Sequence, residues 1–214
     1  MKKTLCGLAV LSALVSTNVL AHQQGDIFVR AGIASVIPLD SSDRILGSTD
    51  KLAVNTNTQL GLTFDYMVTD HIGLELLAAT PFEHDISTGY GSLGDVATTK
   101  QLPPTLMVEY YFNEPAAKWQ PYAGLGINYT NFYDSKFNST GHDAGLSDLN
   151  LDNSWGYAAN IGVDYQVNDN WLVNASLWYA DIDTTAHYSV GDTRYSTDVD
   201  INPIVFMASV GYTF

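Results

Sequence analysis

Histidines and loop carboxylates are the residues of this chain whose types could support polar chemistry. His22, His71, His84, His142 and His187 form no His-x-x-x-His or similar ligand pair. A surface hydrolase or acyltransferase would need a nucleophile beside a base that a third group holds in place. His84-Asp85 and His142-Asp143 set a base next to a carboxylate, but neighbours in a loop do not normally bond to each other as a dyad. Catalytic residues, metal ligands and cofactors are therefore all expected to be absent. Asp134, Asp143, Asp148 and Asp152, with Asp181, Asp183, Asp192 and Asp198, could bind calcium or bridge lipopolysaccharide through divalent ions. They lack calcium-loop spacing, and solvation is their expected use.

The elements that would carry such residues begin with an export signal. Lys2 and Lys3 precede the apolar run 5–11, and Val19-Leu20-Ala21 supplies a cleavage site, so residues 1–21 are expected to leave. Cys6, the one cysteine, leaves with them, and the mature chain has neither thiol chemistry nor a disulfide framework. The formal net charge of −14 becomes two units more negative, which argues against nucleic acid or anionic lipid held by basic patches. Past Ala21 no apolar run approaches the length of about 20 residues that a membrane helix needs. A closed β-barrel is the other structure that crosses lipid with its backbone satisfied.

Segments of about ten residues that alternate in polarity support that reading. Ile204, Phe206, Ala208, Val210, Tyr212 and Phe214 share one face of the last, and the chain ends on the aromatic. Seven further segments alternate likewise, giving an eight-stranded antiparallel transmembrane barrel over 22–214. The bulky apolar face is the more uniform one, while the other carries Arg30, Asp65, Glu75, Glu109 and Asp164. A soluble lipocalin-like barrel would reverse those faces. Short links near Thr69, 113–118 and 168–170 alternate with long ones at 37–57, 83–98, 133–154 and 184–198. Short turns belong to the periplasm and long loops to the outside, which puts both termini in the periplasm.

Several segments are irregular enough to carry a family resemblance: 57–64 (NTQLGLTF), 73–82 (GLELLAATPF), 102–106 (LPPTL), 126–130 (GINYT), 145–149 (GLSDL) and 178–185 (WYADIDTT). Over essentially its whole length the chain resembles the outer membrane protein W family. The resemblance implies an eight-stranded barrel with a narrow, hydrophobic lumen that passes small apolar molecules across the outer membrane. It also implies a surface that phages or bacteriocins exploit. A closed structural or adhesive barrel of that kind is the alternative.

Parity adds candidates of its own. Leu77 and Trp178 fall on the lumen face and are expected to form an apolar constriction, with Met67, Met107, Leu172, Glu75 and Tyr111 lining the rest. Pro81, Pro103 and Pro104 each remove a ladder donor at the outer end of two neighbouring strands. If those strands part, a solute could leave sideways into the membrane.

Overall fold

The structure, a computed structural model, describes residues 22–42 and 50–214, so the expected signal segment with Cys6 lies outside the described residues. Eight strands form the wall: β1 (Ile27–Ile37), β2 (Asn57–Met67), β3 (Ile72–Ala79), β4 (Thr105–Tyr111), β5 (Trp119–Phe137), β6 (Ser154–Gln166), β7 (Trp171–Ala180) and β8 (Ile204–Thr213). Each pairs antiparallel with the next. β1 then pairs with β8, from Phe28 opposite Thr213 to Ile37 opposite Ile204, and the sheet closes. Closure removes the unpaired edge that lipid could not satisfy.

The alternation read from the sequence is the alternation of the wall. On β7, Leu172, Asn174, Ser176 and Trp178 are buried, while Trp171, Val173, Ala175 and Leu177 are exposed. Leu125 is 70 % exposed and Trp155 72 %, an outward display that excludes the lipocalin-like arrangement. Aromatic pairs ring the wall at two levels. Trp119 lies 4.6 Å from Tyr165 and Trp171 5.1 Å from Tyr212 near the short turns, whereas Tyr129 lies 4.7 Å from Trp155 and Tyr157 5.8 Å from Tyr179 toward the long connections. Along β6, from Tyr165 to Trp155, a tilted strand rising about 3.4 Å per residue covers roughly 25 Å, the height of an apolar band in lipid.

Short turns are fixed by their own side chains. Asn168 Oδ1 accepts from the backbone N–H of Asn170 (3.1 Å) and Trp171 (3.0 Å), and Thr69 Oγ1 from those of His71 and Ile72.

Above the second aromatic ring the polarity pattern inverts. In Phe82–Thr88 the buried residues are Phe82, His84, Ile86 and Thr88, while Glu83 and Asp85 are exposed. In Asp183–Val190, Thr184, Ala186 and Tyr188 are buried. Once water replaces lipid outside, the apolar face must turn inward. The long links are themselves largely ordered. Connections 83–98 and 184–198 are mostly hairpins, Phe82–Thr88 with Gly94–Leu102 and Asp183–Val190 with Thr193–Asp200. Connection 133–154 holds the end of β5, a short helix Ser139–Asp143 and the strand Leu146–Leu151. Together they build a collar above the wall.

Leu125→Arg places a charge on the lipid face and is expected to destabilise the barrel by about 2–4 kcal/mol. Urea unfolding in lipid vesicles measures it, and a loss well below about 1 kcal/mol would show that this face does not meet hydrocarbon.

Candidate functional site

Inside the wall, side chains stack in three tiers. The lowest, by the short turns, is apolar and aromatic: Phe28, Met67, Tyr111, Tyr122 and Leu172 pack together. His22 inserts among them, stacked on Phe28 at 4.5 Å and edge-on to Tyr111 at 4.8 Å. Its segment is tied by the Gly25 N–H to Met67 O (2.8 Å) and the Gln24 N–H to Asp70 Oδ1 (2.9 Å). Gly162 makes room for this tier, since a Cβ there would meet the Tyr122 hydroxyl at 2.4 Å.

The middle tier is polar and centred on Arg30, which is 1 % exposed. Its Nη1 donates to Asp65 Oδ1 (2.8 Å) and Glu75 Oε2 (2.6 Å), and its Nη2 to Asp164 Oδ2 (2.6 Å) and the Tyr111 hydroxyl (2.9 Å). Tyr111 passes the chain on by donating to Glu109 Oε2 (2.9 Å), whose other oxygen accepts from Asn160 Nδ2 (2.6 Å). His22 Nε2 and Asn174 Nδ2 complete Asp164 at 2.9 and 2.7 Å. One guanidinium thus ties β1 to β2, β3, β4 and β6 across the lumen.

The upper tier is apolar again. Met107, Ala158 and Trp178 pack with Leu77 and Val205, and Trp178 Nε1 donates to Ser176 Oγ (3.0 Å). Gly126 admits this layer, because a Cβ there would meet Met107 Sδ at 2.5 Å and Leu106 O at 2.0 Å. Leu77 and Trp178 therefore meet inside the lumen as parity implies, with Met107 beside them. They do not stand alone, however. Met67, Leu172 and Tyr111 belong to the lowest tier and Glu75 to the middle one, so two packed layers lie below the pair.

Above Leu77 and Trp178 rise three apolar cavities in column. The inner one, about 40 Å³, is lined by Leu77, Phe82, Gln101, Pro103, Trp178 and Val205 among others. The next, about 20 Å³, shares Gln101 with it and adds His84, Phe132 and Leu151. The outermost, about 70 Å³, shares Leu52, Ile86 and Ala186 with the second and reaches Leu93, Phe137 and Tyr188.

The prolines mark a break in the wall beside the inner cavity. The β3–β4 ladder ends at Leu77 opposite Thr105 and resumes at Phe82 opposite Gln101, one residue out of register. The extra residue lies on the Thr80-Pro81 side, as in a β-bulge. Pro103 lines the inner cavity, whereas Pro81 and Pro104 are exposed on the outer surface. Pro104 O accepts from the Tyr129 N–H, which sets the break at the level of the upper aromatic ring.

The histidines have separate fates. His71 is at a short turn, with Nδ1 on Tyr111 O, while His142 and His187 are in the collar. His84 is 2 % exposed and points inward, and Asp85 points away and accepts from Asn55, so the two form no dyad. No sequence pattern points to the burial of His22.

An apolar-outside closed barrel with aromatic rings and a packed lumen defines a small β-barrel of an outer membrane. The chain belongs to the OmpW family, which it matches over residues 23–214. It is 62 % identical to outer membrane protein W of Vibrio cholerae, with all of both chains aligned. The crystal structure of OprG from Pseudomonas aeruginosa superimposes with a TM-score of 0.86 at 42 % identity, over 92 % of this chain and 99 % of that one. A more distant relative is the dibenzothiophene metabolism operon protein PahQ of Pseudomonas aeruginosa, 24 % identical over 100 % of this chain and 99 % of its own length.

Arg30→Met leaves its carboxylate partners without their cation and is expected to cost about 3–5 kcal/mol. Arg30→Lys is expected to recover only part of the loss, because a point charge cannot span carboxylates on three strands and Tyr111 together. Unfolding monitored by tryptophan fluorescence in vesicles checks both. Equal stability of Arg30→Met and the parent would dissolve the claim that the middle tier is held by this ion cluster.

Proposed function

We propose that the barrel takes up small apolar molecules from outside the cell and releases them sideways into the outer membrane. The observation that carries this reading is the column of apolar cavities that ends on a packed floor beside a break in the wall. In this reading residues 1–21 are a cleaved signal, the short turns and both termini lie in the periplasm, and the collar is extracellular. Leu77 and Trp178 form the bottom of the apolar path and turn the solute toward the break at 78–81 and 102–104. The name of PahQ, which ties a relative to dibenzothiophene metabolism, supports apolar solutes of that general kind. A closed adhesive barrel would share the packed floor but would have no use for an apolar column above it.

The three tiers determine what substitution at the constriction should do. Leu77→Ser with Trp178→Ser removes the apolar floor but leaves the Arg30 cluster and the His22 layer intact. Ion conductance in planar bilayers is therefore expected to stay near that of the parent, while uptake of an apolar solute by expressing cells falls. A large rise in conductance would mean that the lower tiers do not close the lumen.

The wall break is tested by stapling. Continuing the register from Leu77 opposite Thr105 sets Ala79 across from Pro103. Ala79→Cys with Pro103→Cys in the otherwise cysteine-free mature chain is expected to lower apolar uptake severalfold when oxidised and to restore it on reduction. Uptake unaffected by the formed disulfide would exclude lateral release at this point.

A further inference from the structure

We propose that Gln101 is a specificity-determining residue that favours apolar solutes bearing one hydrogen-bond donor, a hydroxyl or an N–H. This assignment rests on the uptake reading above and names the solute class for it.

Gln101 is 1 % exposed and lines both the inner and the middle cavity. Its amide orientation follows from its neighbours. Asn55 O is a carbonyl and can only accept, so His84 Nδ1, 2.8 Å away, carries a proton. Burial holds the His84 pKa below the ordinary histidine value, which favours the neutral ring. Its Nε2 then has a lone pair, and Gln101 Nε2 donates to it at 3.0 Å. Gln101 Oε1 is left as a buried acceptor with no partner among the described residues.

Other polar side chains along the two cavities are engaged. Thr99 Oγ1 bonds Ser135 Oγ (2.8 Å), Asn128 Nδ2 donates to Thr105 Oγ1 (2.8 Å) and Thr184 Oγ1 donates to Asp152 O (2.7 Å). The remaining buried unpartnered side-chain atoms belong to His22, Gln120, Asn160, Gln166 and Thr213, none of which lines these cavities. Gln101, which lines both cavities, therefore carries one unfilled acceptor in an apolar surround. A solute with a donor satisfies it, whereas one without a donor leaves a desolvated oxygen unpaired. His84 is the positioning residue, since it dictates which end of the amide is left unpaired.

The test uses three solutes of equal heavy-atom number, 1-decanol, 1-methoxynonane and undecane. Their uptake is followed in radiolabelled form by Gram-negative cells that lack other family members, with and without the full-length protein. Protein-dependent uptake of 1-decanol is expected to exceed that of 1-methoxynonane roughly fivefold, the factor given by one hydrogen bond of about 1 kcal/mol. Gln101→Met keeps the side-chain length without the oxygen and is expected to abolish that ratio, with a β-sheet circular-dichroism spectrum in detergent showing that the variant is folded. His84→Phe frees the amide to turn over and is expected to shrink the ratio, its folding checked in the same way. Equal uptake of all three solutes by the parent overturns the Gln101 assignment and leaves the uptake reading standing. A decanol preference that survives Gln101→Met also overturns it. If the protein accelerates none of the three, the uptake reading itself falls.

Discussion

The interior of this barrel is organised by the guanidinium of Arg30. A wall whose outer face is spent on lipid has only its inner face for specific contacts, and eight strands leave an interior that side chains fill. Arg30 uses the fixed fork geometry of its donors to hold Asp65, Glu75 and Asp164, carboxylates on three other strands, and to hand Tyr111 on to Glu109 on a fourth. Buried ions are stable only when paired and hydrogen-bonded, so removing either side of this arrangement leaves an uncompensated charge. Faces of Phe28 and Tyr122 at 4.8 and 5.3 Å add favourable aromatic contact to the same cation. The lowest tier depends on it too, because Asp164, fixed by Arg30, is the partner that draws His22 into the lumen.

From that centre the rest of the molecule follows the change of solvent along the barrel axis. Between the aromatic rings the wall is apolar outside and mixed inside. Above the upper ring it is polar outside and apolar inside, and the switch on the β3 side falls at Pro81, where the register also slips by one residue. A slip is the economical way to exchange faces in a structure of period two, since moving by one residue turns every following side chain over. On the β4 and β7 sides the inward parity runs on without a slip, through Gln101 and Thr105 and through Trp178, Ile182 and Ala186, so the wall break belongs to the register change and the apolar column to the choice of inward residues.

This explains which parts of the fold were legible in the sequence. Leu77 and Trp178 could be set inside from Glu75 and Asn174 on the same faces, because a single period held through β3 and β7. The charged inward set of Arg30, Asp65, Glu75, Glu109 and Asp164 was visible for the same reason, although its closure on one cation was not. The strand Phe82–Thr88 is hidden in a long link because its alternation is of opposite sign to that of the wall, with Glu83, Asp85 and Ser87 turned outward. His84 went unrecognised with it, as its value comes from Asn55 and Gln101, distant in sequence and joined only by folding. His22 carried no periodic signal, since it enters the lumen before the first strand begins.

The same layering bears on the route that a solute would take under the proposed function. An apolar molecule that continued downward past Leu77 would have to part charge-assisted hydrogen bonds worth about 1.5–3 kcal/mol each and would give them no replacement. Moving sideways through the break costs no ionic contact, and reaching hydrocarbon returns about 0.8 kcal/mol for each methylene kept from water. Several bonds lost against several methylenes gained is a difference that grows with the size of the solute. The larger and more apolar the molecule, the more strongly the Arg30 tier acts as a floor, and the more the wall beside Pro103 becomes the way out.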